Sequence, residues 1–356
     1  MTSTMERVTA KALELGVPIS AQLDLTYRCN QRCIHCYLDH DDRGEMSASE
    51  LRDLLNQMAR AGVLFLSVSG GEVFLREDLF PILEHARTLL FDVKLKTNAT
   101  LIRERDAVRL SALEIRHVQV SIYSHRPQVH DSITQAPGSL ERSLAGIRLL
   151  RAQGIRVVVA NVLMRPNARD HAGVKALASE LEAEYTIDPT ITPHLSRDRS
   201  ILALNVPRGE LERIFRDETL VGDVACFTAP PGPVDQSILN GIPCSAGHTA
   251  CYVSPYGELY PCVQFPLSCG NVRLQPFADV WRHSPQFQEI RSIRARDLAT
   301  CSSCVHLGTC TRCPGLAYLE GNLRGPSTAD CEKSFLRTGI EPAHALPLRD
   351  NSDRAS

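Results

Sequence analysis

The first two-thirds of the 356-residue chain alternate between two hydrophobic periods. Short stretches with apolar residues at every second position indicate strands, and longer stretches with apolar residues three or four positions apart indicate helices. Six strands are predicted in this way, at residues 21–26, 63–69, 93–97, 117–122, 156–163 and 185–192. The helices predicted between them include 47–62, which begins with a capping box, 140–151 and 174–184.

Repeated strand–helix units predict a parallel sheet with right-handed crossovers. Six units are too few for a closed eight-stranded barrel, so we predict an α/β fold built on a partial, TIM-like (β/α)6 barrel. In such folds the chemistry lies at the carboxyl ends of the strands. Residues 29–36 follow the first strand and residues 70–72 follow the second, so we expect the two segments to share one rim.

The composition changes after about residue 220. Residues 229–233 are rich in proline and predict a linker, and ten of the thirteen cysteines lie from Cys226 onward. We therefore predict a small cysteine-rich domain after the barrel. The expected boundaries are an N-terminal extension at 1–20, the partial barrel at 21–220, the cysteine-rich domain at 221–336 and a partly disordered tail at 337–356.

Charge and hydropathy exclude several classes of function. The formal net charge is −2, which does not indicate a general nucleic-acid or membrane-surface binder. The first 20 residues lack the apolar stretch of a secretory signal, and the apolar stretch at 157–164 is too short to cross a bilayer. A cytoplasmic protein is expected, with its cysteines reduced and binding iron or zinc.

Three of the cysteines follow the first strand with the spacing C-x3-C-x2-C, at Cys29, Cys33 and Cys36. A four-iron cluster needs four ligands, so three thiolates leave one iron open to an exogenous molecule. The spacing alone is also compatible with half of a zinc site.

The cysteine loop after a first strand, followed by Gly70-Gly71-Glu72 after the second, resembles the radical S-adenosylmethionine (SAM) superfamily. The resemblance is to members with a C-terminal SPASM domain, and it covers residues 20–335. It implies a [4Fe–4S] cluster on Cys29, Cys33 and Cys36, with SAM on the open iron. Reductive cleavage of SAM would then give a 5′-deoxyadenosyl radical that abstracts hydrogen from a substrate.

The same resemblance implies a set of residues around SAM. They are His35, Gly70, Gly71, Glu72, Asn98, Ser121 and Asn161. Glu72 is expected to receive the SAM amino group, His35 to lie near the adenine, and Ser121 to contact the ribose or the carboxylate. Ser121 and Asn161 could equally be ordinary strand residues, and His35 could simply pack within its loop.

The C-terminal cysteines resemble the SPASM signature, with one gap of two residues where three are usual. The resemblance implies two auxiliary [4Fe–4S] clusters. The first would use Cys244, Cys251, Cys262 and Cys313, and the second Cys301, Cys304, Cys310 and Cys331. Alternatively, Cys251 is not a ligand and the first cluster has an open iron. Zinc is the alternative metal for the C-x2-C pairs. Cys226 and Cys269 are left over, either as buried thiols or as a hydrogen-atom donor.

SPASM-bearing enzymes usually modify peptides or proteins, which implies maturation of a peptide by crosslinking, epimerisation or oxidation. The implied partners are a peptide or protein substrate and an electron donor such as flavodoxin or ferredoxin. Because few residues precede the first strand, we expect a separate leader-binding protein or a leaderless substrate. Residues 188–199 are the expected substrate-facing loop. The alternatives are biosynthesis of a tetrapyrrole or another small molecule, and a non-catalytic metal-binding scaffold.

Overall fold

The computed structural model describes residues 3–40 and 43–344. The strands are β1 Ser20–Asp24, β2 Phe65–Ser69, β3 Asp92–Thr97, β4 His117–Ser121, β5 Val157–Val162, β6 Glu184–Asp188, β7 Ala250–Val253, β8 Glu258–Tyr260 and β9 Gly270–Asn271. The helices are α1 Thr4–Leu15, α2 Ala48–Ala61, α3 Leu79–Thr88, α4 Glu104–Ala112, α5 Pro127–Thr134, α6 Ser139–Ala152, α7 His171–Glu180, α8 Arg208–Ile214, α9 Glu218–Val221, α10 Val224–Thr228, α11 Gln236–Asn240, α12 Phe277–His283, α13 Pro285–Ser292, α14 Pro314–Leu319 and α15 Thr328–Thr338.

Within the described residues, one sheet of nine strands has the order β6-β5-β4-β3-β2-β1-β7-β8-β9. Strands β1 to β6 are parallel, and the sheet does not close, which confirms the predicted partial barrel. The cysteine-rich segment extends this same sheet, because β7 pairs in parallel with β1 and β8 and β9 follow antiparallel. That continuation was not expected from the sequence.

Helix α2 shows how the helical layer is fixed. Its capping box at Ser47 and Glu50 is formed, and the helix ends at Gly62 with a left-handed φ of 99°. One face of the helix is buried, as its apolar spacing predicts. That face consists of Leu51, Leu54, Leu55 and Met58. The helix packs against α3 and α12, so it connects the barrel to the cysteine-rich segment.

Strand β1 separates two environments by simple alternation. Ala21 and Leu23 are buried in the core beneath the helices, whereas Gln22 and Asp24 point to the other face of the sheet. In a barrel that other face is the interior. Polar side chains on alternate strand positions therefore line the inside of the barrel.

The cysteine-rich segment is tied to the barrel by packing as well as by pairing. The hairpin predicted at 253–262 is formed by β7 and β8. Trp281 of α12 is buried, and its indole N–H donates a hydrogen bond to the carbonyl of Gly16 at 2.7 Å.

Several predicted boundaries differ in the structure, and the helix predicted at 174–184 ends at Glu180. Strand β6 ends at Asp188, so residues 189–192 lie in the loop that follows it, and α15 continues to Thr338. Residues 345–356, most of the predicted disordered tail, lie outside the described residues. Within the part of the chain that the structure describes, no helix combines the length and apolar character that a membrane span requires.

Candidate active site

The three cysteines after β1 line one cavity at the carboxyl ends of the parallel strands. The cavity has a volume of about 230 Å³ and contains Cys29, Cys33 and Cys36 in its wall. Burial, followed by the two neighbouring thiols, raises the pKa of Cys33 to about 12, and burial also raises the pKa of Cys36 to about 11. Three thiolates so close together need a cationic partner. The donor set therefore fits an iron–sulfur cluster.

The glycines after β2 hold the cysteine loop by close backbone contact. The Gly71 N–H donates to the Thr26 carbonyl at 2.7 Å, and the Glu72 N–H donates to the Arg28 carbonyl at 2.9 Å. A Cβ on Gly70 would collide with the Thr26 carbonyl, and one on Gly71 with the Arg28 carbonyl. Gly70 and Gly71 also line the cavity. Glycine is thus required where the two loops meet.

Glu72 is fully buried and does not line the cavity. Its carboxylate accepts hydrogen bonds from the backbone of Asn98 at 2.9 Å and of Phe74 at 3.1 Å, and contacts Thr97 Oγ1 at 2.8 Å. Burial raises the pKa of this carboxyl. In this structure Glu72 orients the end of β3, and its contact with the SAM amino group stays a prediction.

Asn98 connects the end of β3 to the cysteine loop. Its Nδ2 donates to Asn30 Oδ1 at 2.9 Å and lies 3.9 Å from Cys29 Sγ. Its Oδ1 accepts from the backbone N–H of Thr100 at 2.9 Å. The side chain also lines the cavity, so it shares one wall with the cysteines as the sequence predicts.

Two buried polar atoms in the cavity wall have no hydrogen-bond partner among the described residues, namely His35 Nδ1 and Gln31 Nε2. Burial lowers the pKa of His35 to about 4, so its ring is neutral near pH 7, and it packs edge-on against Tyr123 at 4.7 Å between ring centroids. Buried polar atoms are normally paired. The unpaired atoms therefore fit a polar ligand such as SAM in this cavity. Ser121 also lines the cavity.

Asn161 does not line the cavity, and its contact with SAM stays a prediction. Its Nδ2 donates to the carbonyls of Ile122 at 2.8 Å and Tyr123 at 3.1 Å, and its Oδ1 accepts from the Tyr185 hydroxyl at 3.1 Å. These partners use the amide fully in joining β5 to its two neighbouring strands. The residue stabilises the barrel at this position.

Four of the C-terminal cysteines surround a second cavity of about 330 Å³. They are Cys301, Cys304, Cys310 and Cys331. Burial, followed by the other three thiols, raises the pKa of Cys331 to about 12. Four thiols around one cavity match the number that a fully ligated [4Fe–4S] cluster requires. The structure thus brings together the four residues predicted for the second auxiliary cluster.

A third group contains Cys244, Cys262 and Cys313. Cys262 is the common neighbour of the other two. Cys244 contributes to raising the pKa of Cys262, and Cys262 contributes to raising the pKa of Cys313. Oε1 of Gln264 lies 3.7 Å from Cys313 Sγ. Three of the four cysteines predicted for the first auxiliary cluster therefore lie together.

The fourth predicted ligand, Cys251, lies in the apolar core. It alternates on β7 with Tyr252, whose hydroxyl contacts Asp24, and Cys262, just beyond the end of β8, is among the thiols that contribute to raising the pKa of Cys251. Cys251 is 4% exposed and belongs to the apolar core, together with Cys269. Its ligation of the first auxiliary cluster stays a prediction.

Among the described residues, no group of three or more His, Cys, Asp or Glu side chains could hold a single metal ion. A four-iron cluster differs from such an ion because it takes each thiolate on a separate iron. Of the two remaining cysteines, Cys226 is exposed and Cys269 is buried.

Residues that the sequence reasoning missed lie inside the barrel. Asp24 accepts hydrogen bonds from the hydroxyls of Tyr252 at 3.0 Å and Tyr37 at 3.2 Å, and the Tyr27 and Tyr252 hydroxyls are 2.6 Å apart. Burial raises the pKa of Asp24 to about 6. Lys96 of β3 lines the cysteine cavity. The sequence pattern that indicates these residues is alternation: Gln22, Asp24 and Lys96 alternate with apolar residues along their strands, so their side chains point into the barrel interior.

Comparison with known proteins identifies the family. Residues 23–175 match the model of the radical SAM superfamily, and residues 244–305 match that of an iron–sulfur cluster-binding domain. The PqqA peptide cyclase of Xanthomonas campestris pv. campestris is 32% identical over 348 residues, which cover 91% of this chain and 89% of that protein. The chain belongs to the radical SAM superfamily. This radical SAM protein is therefore an enzyme whose cofactors are [4Fe–4S] clusters and SAM.

Other relatives of this radical SAM enzyme differ in what they are named for. The mycofactocin maturase MftC of Mycobacterium tuberculosis is 28% identical over 353 residues, covering 94% of this chain and 88% of that protein. The AdoMet-dependent heme synthase of Methanosarcina barkeri is 26% identical over 321 residues, covering 83% and 90%. Streptococcus suis SuiB bound to SAM shares the fold, with a TM-score of 0.73 at 18% identity over 92% of this chain and 81% of that one.

Proposed function

We propose that the enzyme abstracts a hydrogen atom from a residue of a peptide or protein, using a SAM-binding cluster held by Cys29, Cys33 and Cys36. The observation that carries the proposal is the cavity in which these three thiols meet the Gly70-Gly71 loop. A reduced cluster with bound SAM supplies a 5′-deoxyadenosyl radical when the carbon–sulfur bond is cleaved.

The chain's own residues prepare that site. Glu72 fixes the end of β3 by accepting a hydrogen bond from the Asn98 backbone. The Asn98 side chain donates to Asn30 and so holds the cysteine loop in place. The unpaired polar atoms of Gln31 and His35 are available to bind and orient a ligand that contains hydrogen-bonding groups. The cavity walls keep a reactive carbon close to the cysteine loop and limit the access of water.

We infer that the auxiliary sites take up an electron after hydrogen abstraction. We infer that Cys301, Cys304, Cys310 and Cys331 hold one cluster, and that Cys244, Cys262 and Cys313 hold another. Gln264 supports this route, since its Oε1 approaches Cys313 and its Nε2 donates to Thr192 Oγ1 at 3.4 Å. Thr192 lines the SAM cavity, so Gln264 connects the cavity wall to the nearer auxiliary site.

The names of two relatives support a peptide substrate. One is called a peptide cyclase, the other is a maturase, and both match along more than nine-tenths of this chain. The fold is also shared with SuiB, whose structure has been solved with its precursor peptide SuiA. The loop at 188–199 supports the same assignment, because Asp188, Thr190 and Thr192 line the cavity. An electron donor such as flavodoxin or ferredoxin and a separate leader-binding protein complete the proposal.

A second candidate is modification of a tetrapyrrole side chain or another small molecule. The match to AdoMet-dependent heme synthases favours this candidate, because it extends over 83% of the chain. The shared cofactors do not discriminate between the two substrate classes. The decision therefore depends on the substrate that donates hydrogen to the radical.

Anaerobic reconstitution with iron and sulfide, followed by dithionite and SAM, tests the chemistry. We expect 5′-deoxyadenosine from the wild type. The combined Cys29→Ala, Cys33→Ala and Cys36→Ala variant should produce none while keeping its auxiliary iron. Absence of 5′-deoxyadenosine from the wild type would favour the non-catalytic scaffold.

The substrate class is tested with the short peptides encoded beside the gene and with a tetrapyrrole, each supplied to the reconstituted enzyme. Mass spectrometry should detect a changed peptide, and deuterium from a labelled peptide should appear in 5′-deoxyadenosine. A changed tetrapyrrole with unchanged peptides would support the second candidate instead.

A further inference from the structure

Lys96 is a cation inside the barrel that the chemistry described so far does not use. It lies on β3, two residues before Asn98, and its side chain lines the same cavity as the three cysteines. The ammonium donates a hydrogen bond to Gln22 Oε1 at 2.8 Å. An ammonium has three donors, so this neutral partner leaves two of them available to a bound molecule.

The charges that face Lys96 come from three different elements. Asp24 on β1, Asp188 at the end of β6 and Cys262 of the auxiliary hairpin each favour its charged form, although burial is the larger effect and lowers its pKa. Among the described residues, neither Asp24 nor Asp188 forms an ion pair with Lys96 within 4.0 Å. The ammonium therefore lies in the cavity, within electrostatic reach of Cys262, and among the described residues no carboxylate is in direct contact with it.

We propose that Lys96 binds a carboxylate of the substrate and so positions the neighbouring carbon in the cavity. The inference deepens the proposed function, on which it rests for the location of the substrate. A half-buried ammonium has lost part of its hydration, and a carboxylate restores both charge and hydrogen bonds better than any neutral acceptor. A C-terminal carboxylate or an acidic side chain of a peptide supplies this group.

SAM also carries a carboxylate, so the position of Lys96 within the cavity matters. The residues implied to bind SAM, such as Gly70, Gly71 and Asn98, lie in the loops at the rim. Lys96 lies one pleat deeper, within electrostatic reach of Cys262 in the auxiliary hairpin. This location assigns Lys96 to the substrate side of the cavity.

Lys94 provides a matched control on the same strand. It shares the inward face of β3 but lies one pleat nearer the opposite end of the barrel, and it does not line the cavity. Lys96→Met and Lys94→Met each remove one positive charge while keeping most of the side chain's volume. Only the first change should affect the binding of a carboxylate in the cavity.

The test uses N-acetylglycine and its uncharged analogue N-acetylglycinamide as probes of the reconstituted enzyme saturated with SAM. Saturation-transfer NMR should show that the wild type and Lys94→Met bind the acid about tenfold more tightly than the amide. Lys96→Met should lose this preference. A wild type without the preference, or a Lys96→Met variant that keeps it, would overturn the proposal.

Two further measurements complete the test. Gln22→Glu places a carboxylate against the ammonium and should also abolish the preference, which keeps the proposal falsifiable if Lys96→Met does not fold. SAM affinity should stay within about twofold in Lys96→Met, and a tenfold loss would overturn the proposal by assigning Lys96 to the SAM carboxylate. Because binding of the probes requires no turnover, these results do not depend on whether a peptide is modified.

Discussion

Cys251 offers a direct test of how the auxiliary sites are assigned. The Cys251→Ala substitution removes one buried sulfur atom from an apolar core in which the side chain is 4% exposed. Removing a single buried group of this size costs about 1 kcal/mol, by analogy with the loss of one buried methyl group. In a chain of this length the melting temperature should fall by about 2 °C. The iron content should not change.

Two matched variants distinguish packing from ligation. Cys269→Ala alters the same core at a cysteine that is 5% exposed and was never expected to bind iron, so it should resemble Cys251→Ala in both measurements. Cys262→Ala should instead lose the first auxiliary cluster, which is about four irons per chain.

The assay combines iron and sulfide analysis after anaerobic reconstitution with electron paramagnetic resonance of the reduced protein. Melting temperatures are measured on the same samples. If Cys251→Ala lost about four irons and its spectrum matched that of Cys262→Ala, a packing role without ligation would be refuted for Cys251.

Three further predictions concern the barrel. Gly71→Ala should lose the SAM-binding cluster but keep the auxiliary iron, because the added Cβ would displace the cysteine loop. The control Gly209→Ala adds its Cβ in open space and should change neither the SAM-binding cluster nor the auxiliary iron. Glu72→Ala should weaken SAM binding about tenfold or more in equilibrium dialysis, because it frees Asn98 from the buried carboxylate. Asp24→Asn should raise the melting temperature more at pH 7.5 than at pH 5. The pKa of Asp24 is raised from 3.8 to about 6, so the ionised carboxylate destabilises the fold increasingly as the pH rises from about 4 to about 6, and by a constant amount above that. An equal gain in melting temperature at both pH values would contradict this reasoning.

Local patterns were sufficient to predict the six parallel strands. Alternation along each strand is a property of neighbouring residues, and so is the capping box that begins α2, which explains why both predictions were confirmed. The pairing of β1 with β7 could not be predicted in this way. It joins Ser20 to Ala250, residues 230 positions apart, and depends on how the whole chain packs.

The candidate site shows the same limit at the level of single side chains. Spacing predicted which cysteines lie near one another, and the cysteines of the SAM-binding group and of the second auxiliary group each line one cavity. Spacing does not decide whether Cys251 joins the first auxiliary group, because it does not say which face of a hairpin a thiol occupies. That face follows from the register of β7 on β8, which the turn at 254–257 sets. The locations of Glu72 and Asn161 near strand ends were predictable from the sequence, but their hydrogen-bond partners were not.

The continuity of the sheet has a consequence for electron transfer between the sites. Because β7 pairs directly with β1, the hairpin that carries Cys262 and the strand that precedes the cysteine loop belong to one hydrogen-bonded ladder. The hydroxyl contact between Tyr27 and Tyr252 adds a second connection, inside the barrel. We therefore expect the SAM site and the first auxiliary site to keep a fixed separation when SAM binds. Substrates must then be accommodated by side chains such as Lys96 and by the loop after β6, rather than by movement of one cluster site relative to the other.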